Sequence, residues 1–149
     1  MKARIHRPGA YVLVTSRVLG GECRLKPTEK FNRLAGALLA VVQAKHGMGI
    51  LNYVFMSTHY HLLLHIEHVS QLGAFMGELN SGLVTISREV HGGQPGIFWE
   101  SRYHSVELLT SEAIDDAFRY IASHGVKERL VEHPLHWPGL TGVRQLCDP

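Results

Sequence analysis

A His-x-His pair lies between two apolar stretches of the sequence. Residues 50–56 precede His59 and His61, and three leucines follow them directly. Side chains alternate between the two faces of a β-strand, so the two imidazoles would share one face and Tyr60 would point to the other. Paired imidazoles on a stiff strand suit a divalent metal ion. The alternative is a pair of polar side chains on a solvated face, because short motifs also arise by chance.

A second group of reactive side chains lies near the C-terminus. Tyr120 and His124 are four residues apart, which on one helix places them on the same side. A rim aromatic and a cation at a helix end would be the structural alternative. If they meet the strand pair, His59, His61 and His124 can hold one ion with open positions, beside a tyrosine nucleophile. A phenol is a poor nucleophile in water, but it can attack a phosphodiester polarised by a metal. This combination favours phosphoryl transfer on nucleic acid.

Composition predicts a single soluble domain over residues 1–149. Of the 149 residues, 45% are hydrophobic and 19% are charged, as in an ordinary globular protein. No apolar run approaches the ~20 residues of a membrane span and no signal-peptide pattern opens the chain, so we expect no membrane partner and a cytoplasmic location. Cys23 and Cys147 lack metal-ligand spacing, which favours reduced thiols. The net charge of +2 does not by itself indicate nucleic-acid binding, although basic residues cluster in the first quarter.

Hydrophobic periodicity predicts the element order β-α-β-β-α-β-α. The predicted strands are residues 11–16, 50–56, 60–66 and 103–109. The first predicted helix runs from a Thr28 cap to about Gly47, and the second runs from a Ser70 cap through Ile86. The third begins at a Thr110 or Ser111 cap and ends at His124 and Gly125. The remaining tail reads as an irregular segment that covers a sheet edge. The first six elements match the ferredoxin-like split βαβ pattern of the α+β class. It has a four-stranded antiparallel sheet with helices on one face, the His-x-His strand in a central position and the second face free for a site. The last helix is additional and would carry Tyr120.

Five stretches of the chain, between residues 10 and 140, resemble one known family. They are MSTHYHLLL (residues 56–64), VTSR (14–17), FWESRYH (98–104), RYI (119–121) and HWP (136–138). Together they resemble the HUH single-tyrosine transposases, and within that group the REP-associated tyrosine transposases. The His-x-His stretch is the most specific of the five and the HWP tail is the least specific.

The resemblance implies a metal-dependent nickase and strand transferase that acts on single-stranded DNA, with DNA transposition or repeat mobilisation as its role. His59, His61 and His124 would bind Mg²⁺ or Mn²⁺, and Tyr120 would be the catalytic residue that forms a 5′-phosphotyrosine link. The family has Asn or Gln at the position of His124, and usually Pro at that of Gly125. The partner would be single-stranded DNA carrying a hairpin; a monomer is favoured and a dimer is possible.

Two arginines are the best candidates for DNA-binding residues. The fork of Arg17 or Arg102 can bind two phosphate oxygens at once, while an ordinary surface role is the alternative. Trp99 and Tyr103 are suited to stacking on unpaired bases, and core packing is at least as favoured for one of them.

Two other functions remain open from the sequence. A domesticated protein of the same fold would bind hairpin DNA or RNA without cleaving it. An unrelated metallohydrolase is less favoured, because a metallo-β-lactamase would have an Asp after the His pair where Leu62 stands, and an amidohydrolase needs a much longer barrel. Tyr120 together with His124 favours the transesterase, since a binding protein needs neither residue.

Overall fold

The computed structural model describes residues 6–147. Its strands and helices follow the predicted order, with two short helices added near the end. The elements are β1 (Tyr11–Arg17), α1 (Glu29–His46), β2 (Gly49–Phe55), β3 (His59–His65), α2 (Gln71–His91), β4 (His104–Leu108), α3 (Ser111–Ala122), α4 (His124–Lys127) and α5 (Gly142–Cys147). No helix in this range is long and apolar enough to cross a bilayer.

The four strands form one antiparallel sheet in the order β2-β3-β1-β4. This order confirms the predicted ferredoxin-like split βαβ topology. It places β3 inside the sheet, paired with β2 on one side and with β1 on the other. A strand held on both edges is stiff, so side chains on β3 have well-defined positions.

Helices α1 and α2 cover one face of the sheet and bury the larger core. Phe31 of α1, Phe75 of α2 and Tyr60 of β3 are all fully buried there. Apolar residues recur at helical spacing in α1 and α2, and the alternate residues of β1 and β3 meet them. Thr28 caps α1 by accepting a hydrogen bond from the Phe31 N–H at 3.1 Å, which fixes where the helix begins.

The opposite face is only partly covered, by α3 and the tail. A smaller apolar cluster there joins β2 and β3 to α3. Its members are Val54, Met56, Leu63, Ala117, Ile121 and Trp137. On the same face, Val106 of β4 remains 44% exposed. The uncovered part of this face therefore lies over β1 and β4, beside α3.

The last predicted helix is divided into two in the structure. Helix α3 ends at Ala122 instead of continuing through His124, and α4 begins directly after Ser123. The Ser123 hydroxyl donates to the Arg119 carbonyl at 2.8 Å, a local bond that competes with the helical pattern. Tyr120 and His124 thus lie on consecutive helices, not on one.

The tail covers the β2 edge, as predicted, but part of it is helical. The Phe55 N–H donates to the Leu140 carbonyl at 2.9 Å, and the Trp137 indole donates to the Phe55 carbonyl at 2.8 Å. Residues 142–147 form α5, where the sequence indicated an irregular segment. The Thr141 hydroxyl accepts a 3.4 Å hydrogen bond from Val143 N–H at its start, and a six-residue helix is too short for a clear periodic signal.

Candidate metal and nucleophile site

The strand pair lies side by side on the partly covered face of the sheet. His59 and His61 are 6% and 3% exposed, and their ring centroids are 5.1 Å apart. Tyr60 between them points to the other face, where its ring stacks on Phe55 and its hydroxyl donates to Asn80 Oδ1. The predicted alternation along β3 is therefore present, and Tyr60 is separated from the site.

Two threonines orient the strand imidazoles. The Thr58 hydroxyl shares a 2.9 Å hydrogen bond with Nδ1 of His59, and the Thr15 hydroxyl shares a 2.8 Å hydrogen bond with Nδ1 of His61. When Nδ1 donates its proton to the hydroxyl oxygen, the lone pair of the ring lies on Nε2, toward the site. This is the arrangement by which proteins fix the tautomer of a metal-binding histidine.

His124 completes a cluster of three imidazoles. It projects from α4, is 1% exposed, and its Nε2 lies 2.9 Å from Nε2 of His59. Its ring centroid is 4.5 Å from that of His61. One ring nitrogen from each of the three side chains lies within 4.8 Å of the other two. The structure thus brings together the three residues proposed as ligands from the sequence.

The state of the ring nitrogens fits a bound cation. His61 Nε2 is buried and has no hydrogen-bond partner among the described residues, and the same holds for His124 Nδ1. Burying a polar atom without a hydrogen-bond partner is costly, so each such atom needs a physical account. A divalent ion between the rings would give His61 Nε2 the electron-pair acceptor that it lacks.

Burial keeps all three imidazoles uncharged at neutral pH. It lowers the pKa of His59 to about 4 and that of His61 to about 3, and it also lowers the pKa of His124. The positive charge of Arg17 lowers each of these pKa values further. A neutral imidazole is the metal-binding form, so protons compete weakly for this site.

Tyr120 of α3 lies against the same imidazoles. Its ring centroid is 5.3 Å from that of His61 and 4.9 Å from that of His124. Partial burial and the carboxylate of Glu128 raise the pKa of Tyr120, while Arg17 acts in the opposite direction. The phenol is therefore protonated at neutral pH and needs an electrophile or a base to react.

No family model and no curated protein matches this chain. Among solved structures, a REP-associated tyrosine transposase bound to a REP hairpin is similar over 99% of this chain and 86% of its own, with a TM-score of 0.73. The chain has the fold of a tyrosine transposase. A crystal structure of a protein from Deinococcus radiodurans assigned as a transposase is similar over 81% of this chain and 95% of its own, with a TM-score of 0.50. The sequence identities are 14% and 16%, so these comparisons establish the fold.

Within the tyrosine-transposase fold, the two candidate arginines occupy different places. Arg17 ends β1 directly opposite His59 in the strand ladder, and its side chain is exposed at the site. Arg102 lies beside Met76 and Gly77 of α2, with its guanidinium 5.3 Å from the centre of the Tyr103 ring. Helix α2 packs on the face opposite the histidines, so the structure brings Arg17 to the cluster and places Arg102 elsewhere.

The two candidate stacking residues pack on the helix-covered side. The Trp99 ring meets the Tyr60 ring edge-on at 5.8 Å, and its indole N–H donates to the Asn80 carbonyl at 3.3 Å. Tyr103 is 7% exposed and belongs to the larger core. Of the two alternatives left open by the sequence, the structure favours core packing for both residues.

Sequence reasoning missed three residues at the site. Thr15 precedes Arg17 by two positions and so shares its face, a signal that was present in the β1 pattern. Thr58 appeared only as part of a hinge. Glu128 follows His124 by four residues, and its Oε1 lies 3.7 Å from His124 Nε2. It brings a carboxylate to the edge of the three-imidazole cluster.

Proposed function

We propose that this protein nicks single-stranded DNA and transfers the cut strand through a covalent link to Tyr120. The observation that carries the proposal is that the Tyr120 ring centroid lies 5.3 Å from that of His61, one of three imidazoles with ring nitrogens within 4.8 Å of one another. A nucleophile beside a set of metal ligands with open coordination positions is the arrangement that metal-assisted phosphoryl transfer needs. The fold shared with a tyrosine transposase supports the same conclusion.

The three imidazoles are the proposed ligands of one divalent cation. His59 and His61 are fixed by their threonine partners, and His124 is fixed by burial. When bound, the cation would supply Lewis-acid polarisation of a phosphate oxygen.

Tyr120 is the proposed nucleophile. Its oxygen attacks the scissile phosphorus, the bond from phosphorus to the 3′ oxygen breaks, and the upstream strand leaves as a free 3′-OH after taking up a proton. The downstream strand stays attached by a 5′-phosphotyrosine link. Because one phosphodiester replaces another, a later attack by a 3′-OH can reverse the step and join a new strand.

The charged groups around Tyr120 suit a phosphodiester. The exposed Arg17 lies opposite His59 and close enough for its charge to lower the pKa of each imidazole. Its fork of N–H donors can contact phosphate oxygens. The Lys127 amine lies 4.6 Å from the centre of the Tyr120 ring and adds a second cation. Arg102, which lies beside α2, is proposed to contact the DNA backbone away from the scissile bond.

We propose that residues 1–149 act as one domain and as a monomer on hairpin-bearing single-stranded DNA. Tyr120 and all three imidazoles come from the same chain, so no second copy is needed to complete the site. The solved neighbour is bound to a REP hairpin, which makes a hairpin the first DNA to test.

The test is to trap the covalent intermediate. Labelled single-stranded hairpin DNA, drawn from repeats beside the gene, is incubated with protein and Mg²⁺, Mn²⁺, Co²⁺ or Zn²⁺ and run on a denaturing gel. We expect the label to remain on the wild-type protein with at least one ion and to vanish with EDTA or in Tyr120→Phe. The control is Tyr11→Phe, because Tyr11 is also half-buried on this face but lies at the far end of β1 beside His65, 4.7 Å away.

The non-catalytic alternative gives a different pattern. A native complex that forms without a covalent band in any ion would mean that the protein only binds the hairpin. The observation that favours a non-catalytic hairpin-binding protein is that His124 and Gly125 replace the residues usual at these positions in the single-tyrosine transposases.

A further inference from the structure

The nature of the three ligands limits which metal ion the site can hold. All of them are imidazole nitrogens, from His59, His61 and His124, and all three side chains are buried. Imidazole suits Zn²⁺, Co²⁺, Ni²⁺ and Cu²⁺, whereas Mg²⁺ is held by oxygen ligands and water in near-ideal octahedral geometry. We propose that this site selects Zn²⁺ or Co²⁺ over Mg²⁺, and that His124 is the residue responsible. This inference concerns the same site as the proposed function, but it does not require that the protein cleaves DNA.

Among the described residues, no carboxylate belongs to the cluster of mutually close ligand atoms. The carboxylate of Glu128 lies 3.7 Å from His124 Nε2, is half-exposed, and lies outside the group of mutually close ligand atoms. The hydroxyls of Thr15 and Thr58 are engaged with the outer nitrogens of the strand imidazoles. Mg²⁺ would therefore have to exchange water for three nitrogen ligands, which its preference for oxygen opposes.

The distance between two of the three ligand atoms is close to that expected around a tetrahedral ion. Nitrogens bound to Zn²⁺ at ~2.0–2.1 Å in tetrahedral geometry are about 3.3 Å apart. Nε2 of His59 and Nε2 of His124 are 2.9 Å apart, so the pair needs to open by only a few tenths of an ångström. Three protein nitrogens and a fourth, open position form the arrangement of catalytic zinc sites. Here Tyr120 and Arg17 border the cluster, where a phosphate oxygen would take the open position.

The position of His124 is enforced by the packing of its neighbour. Gly125 is buried, and a Cβ added there would meet Val131 Cγ2 at 3.1 Å and Trp137 Cβ at 3.5 Å. Trp137 is in turn held to β2 through its hydrogen bond to the Phe55 carbonyl. Helix α4 therefore packs closely against the tail and presents the third imidazole at a fixed distance from β3.

The test measures metal binding in the absence of DNA. Zn²⁺ and Co²⁺ affinities are measured by competition with a chromophoric chelator, Mg²⁺ and Mn²⁺ affinities by calorimetry, and the visible spectrum of bound Co²⁺ reports its coordination number. We expect wild type to bind Zn²⁺ at least about 10³-fold more tightly than Mg²⁺, with a four-coordinate Co²⁺ spectrum. His124→Asn, which substitutes an amide oxygen, should lower the Zn²⁺ affinity by about 10²-fold and bring the Zn²⁺ and Mg²⁺ affinities closer together.

The matched control is His133→Asn. His133 and His136 form another pair of close imidazoles, with centroids 5.4 Å apart, but they are exposed on the tail. We expect this variant to bind Zn²⁺ as wild type does. Wild type that binds Mg²⁺ as tightly as Zn²⁺, or His124→Asn that keeps the full Zn²⁺ affinity, would overturn the inference.

The two proposals fail in different ways. Zn²⁺-selective binding that is lost in His124→Asn supports the selectivity even if no DNA adduct ever forms. An adduct on Tyr120 together with equal binding of Mg²⁺ and Zn²⁺ would leave the proposed function intact and overturn the selectivity.

Discussion

The two faces of the sheet carry different tasks, although the same strands form both. On the helix-covered face, Leu62 and Leu64 of β3 are completely buried in the large core under α1 and α2. On the other face, His59 and His61 of the same strand are nearly as buried but lie beside a small apolar cluster. Burial thus stabilises the fold on one face, and on the other it lowers the pKa values of the histidines.

The difference extends to how polar groups are treated. The Tyr60 hydroxyl, on the helix-covered face, donates to Asn80, and Asn80 donates to Ser16 at 3.1 Å. Across the sheet, His61 Nε2 is buried without a partner among the described residues. What sets His61 Nε2 apart is that ring nitrogens of two further imidazoles lie within 4.8 Å of a ring nitrogen of His61, where one cation could satisfy it.

The largest effect is expected from the helix-covered core. Leu64→Ala removes a fully buried side chain and should lower the free energy of unfolding by about 2–5 kcal/mol. Urea unfolding followed by circular dichroism measures it, with Val41→Ala as control because Val41 is 64% exposed. The folded fraction of Leu64→Ala should keep its metal affinity. A large loss of affinity there would break the separation between the two faces.

The pH dependence should come from the histidine face. The pKa values of His59 and His61 are about 4 and 3 in the folded protein, below the ordinary value near 6.5. Between these values the unfolded chain binds protons that the folded chain does not. The stability that these two histidines contribute to the metal-free protein is therefore fully present above about pH 6.5 and is lost as the pH falls toward 3. Together they contribute at most about 2.7 kcal/mol per pH unit.

Urea unfolding in EDTA at several pH values tests this sign and its origin. His61→Gln should flatten the dependence, because it removes one of the three imidazoles whose pKa is lowered in the folded protein, whereas Leu64→Ala should lower stability and leave the slope unchanged. The same slope in His61→Gln and wild type would show that the pH dependence arises elsewhere.

A smaller effect is expected from the threonine that orients His61. Thr15→Val keeps the side-chain shape but removes the hydroxyl that bonds Nδ1 at 2.8 Å. Metal affinity should fall about 10–100-fold, the usual result of losing such an outer partner. Chelator competition measures it, and Thr85→Val on the exposed side of α2 serves as control. Unchanged affinity in Thr15→Val would mean that packing alone orients the ring.

The smallest effect should come from the helix caps. They allow a matched comparison, because α1 packs on the helix-covered face of the sheet and α3 on the histidine face. Thr28 caps α1 and Thr110 caps α3, and each hydroxyl accepts an N–H at 3.1 Å. Replacing either by Ala should cost about 1 kcal/mol of stability. Only Thr110→Ala should also slow adduct formation, because α3 carries Tyr120. Equal slowing by both variants would show that general destabilisation, not the position of Tyr120, is responsible.

The sequence predicted what depends on local periodicity. The alternation along β3 separated Tyr60 from the two histidines, and the apolar spacing gave the order of strands and helices. It missed the break at Ser123 and the helix at residues 142–147. At both places the backbone structure is determined by a few residues and their local hydrogen bonds. The positions of Arg102 and Glu128 were also out of reach, since they follow from how distant elements pack.

The measurement that tests the central claim most directly is peptide mapping of the trapped protein–DNA adduct. Trypsin cleaves after Arg119 and Lys127, which isolates Tyr120 in its own peptide, away from the peptide that begins at Tyr103. After nuclease digestion, we predict a nucleotide remnant on Tyr120, linked through its 5′ phosphate. A remnant on another residue, or no adduct with any of the four ions, would contradict the account.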